Sequence, residues 1–196
     1  MKKIVFAPGE WENAGLTYAY SWRFNSLPVF RQESDCIVNS RIPGEKEDYD
    51  YMGLLAPEIF SKGAMIDIHC SFEALGAPMI LLSMQDEMDD AGVLRTLEYY
   101  EIVIWKNGLN VWRHYTRERK PGHYLVLGAS FPLAAEEKHR LSVEVREKRL
   151  LINVDGHAFN LYLHDLTDSF RLGYTACEGY CRLYDMTTGE NGTGYV

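Results

Sequence analysis

The sequence predicts an all-β protein built as an antiparallel two-sheet sandwich. Candidate strands arrive at short intervals with turn residues between them, no segment carries a long helical period, and several strands alternate apolar and polar residues. The 196 residues suit one domain, taken as 1–196, and 46% hydrophobic residues can fill its core. The 13 Tyr and 4 Trp add to this reading, because both residue types favour strands and recognition surfaces.

The candidate strands, in chain order, begin with KIVFA (3–7), LTYAYSWRF (16–24) and CIVN (36–39). The stretch 40–63 is rich in charge, Pro and Gly and reads as a loop crossing a sheet edge. AMIDIHCSF (64–72) follows, with Ala64, Ile66, Ile68, Cys70 and Phe72 on one face and Met65, Asp67, His69 and Ser71 on the other. PMILLSM (78–84) is apolar on both faces and belongs at the centre of a covered sheet. YYEIVIW (99–105), LNVWRHYT (109–116) and YLVLGASF (124–131) come next. HRLSVEVRE (139–147) points Leu141, Val143 and Val145 inward; RLLINVDG (149–156) and HAFNLYLH (157–164) meet at an Asp155-Gly156 turn. SFRLGYTAC (169–177) and YCRLYDM (180–186) close the chain.

A formal net charge of −8 argues against a nucleic-acid backbone or an anionic membrane as partner. The apolar run before Pro8 is only four residues long, too short for a signal-peptide core, so a cytoplasmic location is expected. The cysteines, Cys36, Cys70, Cys177 and Cys181, form no CxxC pair and read as reduced, half-buried thiols; Cys177 and Cys181 flank the EGY turn (178–180). The sequon at Asn191 means little without secretion. No metal site is expected. The acidic run QDEMDDAG (85–92) is the one stretch with the composition for Ca²⁺, though it lacks EF-hand spacing. Phosphate-binding glycine loops, GxSxG and HExxH are all missing from the sequence, so nucleotide, serine-hydrolase and zincin chemistries lack support.

Three segments carry a family resemblance. HRLSVEVREKRLLINVDGHAF (139–159) resembles the paired strands, ending in an Asp-Gly turn, of concanavalin A-like lectin/glucanase domains. FRLGYTACEGYCRLYDM (170–186) resembles their closing hairpin, and FSKGAMIDIHCSFEALGAPMILLSM (60–84) looks like their strands joined by a small-residue turn. The similarity runs from about residue 36 onward and points toward bacterial domains linked to polysaccharide use. It implies a jelly roll of two curved sheets, with ligands on the concave one. Glucanases of this type carry Glu-x-Asp-x-Glu on one strand; here the face of Glu101 continues with Val103 and Trp105.

The stretch EYYEIVIWKNGLNVWRHY (98–115) is the candidate site. Alternation places Tyr100, Ile102 and Ile104 in the inter-sheet core and Tyr99, Glu101, Val103 and Trp105 on the opposite face, with Glu98 facing away from Glu101. A type I′ turn at Asn107-Gly108 sets Trp105 opposite Asn110, Val103 opposite Trp112 and Glu101 opposite His114. A bulged loop shifts the register by one and sets Glu101 opposite Arg113. Sugars stack on Trp and Tyr faces and bond to Glu, Asn, Arg and His. The expected ligand-binding residues are therefore Tyr99, Trp105, Trp112, Arg113 and Tyr115, with His69 and Asp67 from another strand and Trp22 and Arg23 in reach. The expected ligand is an oligo- or polysaccharide. The alternatives are a glycoside hydrolase or lyase with Glu101 and His114 as catalytic groups, and a protein-interaction module, including an oligomer surface. Retaining hydrolysis needs a second carboxyl about 5–5.5 Å away, and Asp67 is the candidate.

Overall fold

The computed structural model describes residues 1–21, 30–39 and 52–190. Every regular element among them is a strand. In chain order these are β1 (Lys2–Val5), β2 (Thr17–Tyr20), β3 (Arg31–Gln32), β4 (Ile37–Val38), β5 (Met52–Leu55), β6 (Phe60–Ser61), β7 (Ala64–Phe72) and β8 (Ala77–Met88). There follow β9 (Leu94–Trp105), β10 (Gly108–Arg117), β11 (Lys120–Ser130), β12 (His139–Arg146), β13 (Arg149–Val154), β14 (His157–Tyr162), β15 (Ser169–Cys177) and β16 (Cys181–Glu190). Trp22, Arg23, residues 40–51 of the expected loop and the Asn191 sequon lie outside the described residues.

The strands form two sheets. The first runs β14-β13-β12-β7-β16-β4-β3, with β1 also on β16. The second runs β11-β10-β9-β8-β15, and continues from β15 through β5 to β2. A parallel bridge between Tyr20 and Arg95 brings β2 back to the start of β9, so this sheet curls on itself at one end. Apolar side chains from the facing surfaces interdigitate in one continuous core, as in β7 (Ile66, Ile68, Cys70), β9 (Tyr100, Ile102, Ile104) and β12 (Leu141, Val143, Val145). The alternation read from these three strands is the alternation observed. The Asp155-Gly156 turn is also as expected, with both residues at positive φ (48° and 92°), as a type I′ hairpin turn requires.

Two expectations change. Part of the stretch 40–63 is strand, not loop: β5 and β6 lie within it. Its MGLL sequence looks broken by Gly53, yet a Cβ at that position would run into the Leu81 side chain, so the glycine is what lets β5 lie against β8. The four cysteines form no disulfide and are buried, not half-buried. Burial pushes the Cys36 thiol up to about 11, and burial likewise raises Cys70 and Cys181, which keeps these sulfurs as unreactive thiols.

Tyr174 sits wholly inside the core, and its hydroxyl has no hydrogen-bond partner among the described residues. A buried unpaired hydroxyl is a standing cost. Tyr174→Phe keeps the ring and removes that group, so it is expected to raise the unfolding free energy by about 1 kcal/mol. Urea titration of the two proteins measures this, and a clear loss of stability would mean that the hydroxyl has a partner in solution.

Candidate ligand-binding site

The site lies on the face of the second sheet that looks away from the core. Site-facing residues of three neighbouring strands divide into two zones. Leu81, Tyr99 and Thr175 lie under the curled β2–β5 pair, where Ala19, Leu55, Leu81 and Tyr99 form a small apolar cluster. One step further along the same faces, Met79, Glu101 and Cys177 line an open cavity of about 580 Å³. Val103, Trp105, Asn110, Trp112, His114 and His123 complete most of its wall. The volume falls within the range of small-molecule sites. The curl therefore fills one half of this face and leaves the other half hollow.

Glu101 stands where the two zones meet and is 2% exposed. One carboxylate oxygen, Oε2, lies 2.8 Å from His114 Nε2. The other, Oε1, is buried and has no hydrogen-bond partner among the described residues. A void of about 10 Å³ behind it, between Thr96 and Thr175, has room for little more than one water molecule. His114 is itself 3% exposed and is held in a stack, with Tyr99 on one side (4.6 Å between centroids, 8° between planes) and His123 on the other (5.5 Å, 22°). Trp112 meets His123 edge-on at 5.6 Å. Trp105 Nε1 is a buried donor, also without a partner among the described residues. Glu101 and Trp105 are four residues apart on one face of β9, about 13 Å along the strand. The wall thus carries an acceptor at one end and a donor at the other, with indole surface between.

The hairpin that builds this wall differs from both registers read from the sequence. The turn centres on Lys106-Asn107, and Trp105 pairs with Gly108, Val103 with Asn110 and Glu101 with Trp112. This is a two-residue shift from the type I′ register. Two is the strand period, so every side chain keeps its face. His114 now lies diagonal to Glu101, opposite Tyr99, and still reaches its carboxylate. The cause is in the neighbouring strand. Gly108 has φ 136°, and a Cβ there would overlap the carbonyl of Ala129 on β11. The turn is also tied to the chain after β11, since Phe131 and Leu133 donate backbone N–H bonds to the carbonyls of Asn107 and Lys106.

No family model and no curated protein matches the chain. Solved structures do resemble it. A protein of unknown function with a galectin-like fold from Bacillus subtilis superposes with a TM-score of 0.68 at 10% identity, over 97% of this chain and 95% of that one. The Bacillus licheniformis β-glucanase gives 0.62 at 11%, over 97% and 98%. The carbohydrate-binding module CBM66 from Bacillus subtilis gives 0.59 at 9%, over 88% and 98%. The fold is the concanavalin A-like jelly roll of lectins and glucanases. At these identities the likeness is one of architecture.

Within this jelly roll, five of the expected residues line the cavity or stack directly behind it: Glu101, His114, Trp105 and Trp112 in the wall, and Tyr99 behind His114. The other four are elsewhere. Arg113 and Tyr115 share the face of Leu109 and Val111, which belong to the inter-sheet core, so they point away from the cavity. Arg113 is buried between Glu98 and Asp165, donating to Asp165 at 2.8 Å, while Tyr115 packs over Gly122. Asp67 and His69 lie on β7, in the first sheet, on its outer surface. There Asp67 accepts from Arg140 Nε at 2.7 Å, and His69 meets Asp185 at 2.7 Å. The whole sandwich separates Asp67 from Glu101, so it is not a second carboxylate for that site. Sequence reasoning also missed Met79, His123, Cys177, Glu178 and the turn at Ala74–Ala77, all in the cavity lining. Their strands are neighbours only through the sheet order, which no local pattern records.

The acidic run 85–92 does not gather around a point. Asp86 bonds to Ser83, and Asp89 accepts from the backbone of Ala91 and Val93 and from Arg95. Among the described residues, no group of three or more His, Cys, Asp or Glu side chains is placed to hold a metal.

Proposed function

We propose that this chain binds an oligo- or polysaccharide in the cavity beside Trp105 and Trp112. The observation that carries the reading is Glu101 Oε1, a buried carboxylate oxygen with no partner among the described residues, at the foot of an aromatic wall. A carboxylate kept only for structure is normally bonded at both oxygens, because an unmet buried charge is costly. A sugar hydroxyl meets that need, and it reaches the oxygen after the side-chain adjustments common on binding. The indoles supply apolar faces for sugar C–H surfaces, and Trp105 Nε1 supplies a donor at the far end. Proteins of the same fold include a carbohydrate-binding module and a β-glucanase, which agrees with this use of the hollow sheet.

The second reading, hydrolysis, gains from one residue. Glu178 lines the same cavity, so its mouth carries a carboxylate besides Glu101. A single assay separates the two. Wild type, Trp112→Ala, Glu101→Gln and Glu178→Gln are screened against soluble polysaccharides, and released reducing ends are read from the same samples. Binding weakened at least about tenfold in Trp112→Ala, with no product, is the expected result. Binding unchanged in Trp112→Ala would place the ligand elsewhere. Product from wild type, but from neither Glu101→Gln nor Glu178→Gln, would make the protein a hydrolase.

A further inference from the structure

We infer that the cavity selects uncharged glycans and rejects polymers whose every sugar carries a carboxylate. This rests on the carbohydrate reading above and adds the chemical class of the ligand. Three features of the wall lead to it. Glu101 is an acceptor-only group when ionised, with Oε2 2.8 Å from His114 Nε2 and Oε1 without a partner among the described residues, so whatever reaches the floor has to donate a hydrogen bond. A uronate carboxylate has only lone pairs to offer there. It also brings a second negative charge against Glu101 in a place largely shut off from water, where like charges repel far more strongly than in bulk solvent.

The lining also lacks the cation that acid recognition needs. Among the described residues it contains no arginine, the side chain whose fork matches a carboxylate. The one lysine of the described lining, Lys106, is exposed at the rim, and the exposed Glu178 at the rim opposes it in sign. His114 is buried against the Glu101 carboxylate, and the exposed His123 stacks on His114 on that same side of the wall. Finally, the net charge of −8 works against the approach of a polyanion. A hydroxyl-bearing neutral sugar meets none of these barriers. It donates to Glu101 at one end of the wall and accepts from Trp105 Nε1 at the other.

The test pairs each neutral polymer of a panel with its own C6-oxidised polyuronate, so that the two differ in charge and not in backbone. The panel includes soluble mixed-linkage β-glucan, galactan and galactomannan. Affinities of the intact protein are measured at physiological ionic strength and again at low salt. The expected result is a preference for the neutral member of about tenfold or more, which widens at low salt where repulsion is unscreened. In Glu101→Gln the preference shrinks several-fold, because the amide can donate and carries no charge, while Glu178→Gln leaves most of it in place. Polyuronates bound as tightly as their neutral parents, or more tightly, would overturn the inference and leave the carbohydrate reading standing. A neutral preference of the same size in Glu101→Gln would also overturn it, since Glu101 would then be a structural group satisfied from the void behind it. Binding to no member of the panel, in any form, would remove the carbohydrate reading and the inference with it.

Discussion

Arg113→Ala is expected to lower the unfolding free energy by about 3–5 kcal/mol, the range for breaking a buried ion pair from one side. The guanidinium is 8% exposed and makes three contacts at once. Its Nε donates to Asp165, one terminal nitrogen to Glu98 and the other to the backbone carbonyl of His114. Tyr100 donates to the other oxygen of Asp165 and lies under the guanidinium, 5.1 Å from ring centre to the carbon. Truncation leaves Asp165 without its guanidinium and Glu98 with the exposed Arg117 alone. It also loosens the end of β10 that presents His114. Denaturant unfolding measures the loss, and a change under about 1 kcal/mol would mean that water replaces the arginine without penalty.

The same network has an acid signature. Burial works to raise the Asp165 carboxyl, but the Tyr100 hydroxyl and the Arg113 guanidinium outweigh it and hold the group below the usual carboxylate range. A carboxyl lowered in the folded state contributes stability above its unfolded value of about 3.9. That contribution disappears as pH falls through the lower, folded value. Wild type is therefore expected to lose stability more steeply below about pH 4 than Asp165→Asn, which has nothing to titrate at that position. Parallel acid limbs for the two proteins would remove Asp165 from the account.

Gly108→Ala is expected to cost about 2–3 kcal/mol, from a strained φ and from overlap with a neighbouring backbone. The residue holds φ 136°, outside the range of ordinary side chains, and its Cα faces the Ala129 carbonyl with no room for a methyl group. The carbonyl belongs to a paired strand and cannot swing away without breaking the β10–β11 ladder. The effect should reach function as well. If the hairpin escapes the clash by slipping one residue, His114 moves off the face of Glu101 and Trp112 leaves the cavity wall. Thermal unfolding reports the cost, and amide exchange along β10 reports the slip. A variant as stable as wild type would show that the register is set elsewhere.

Much of this molecule is legible in its sequence because sheet faces are a local property. Alternation in 64–72, 99–105 and 139–147 places the core residues on the faces they occupy, since a strand has period two whatever its neighbours are. The Asp-Gly turn at 155–156 is equally local, fixed by the backbone freedom of two residues. The same property explains why Glu101, Trp105, Trp112 and His114 share a surface even though the register differs from the expected one: a slip of two preserves it. Arg113 and Tyr115 break the same rule as site residues. Their parity with Leu109 and Val111 already places them on the core face.

What the sequence by itself determines is the all-β class, the inward and outward faces of its long strands, and an aromatic, acidic surface on the 98–115 hairpin. Tertiary structure alone decides the rest, because it depends on contacts between residues far apart in the chain. The Ala129 carbonyl, on the strand after the hairpin, selects the turn that Asn107-Gly108 leaves open. The order of strands in the sheets puts Asp67 and His69 on the far side of the sandwich and brings Met79, His123 and Glu178 to Glu101. The return of β2 to β9 covers half of a face that alternation leaves uniform. A period-two pattern carries one bit per residue, inside or outside, and a cavity is a statement about which outsides meet.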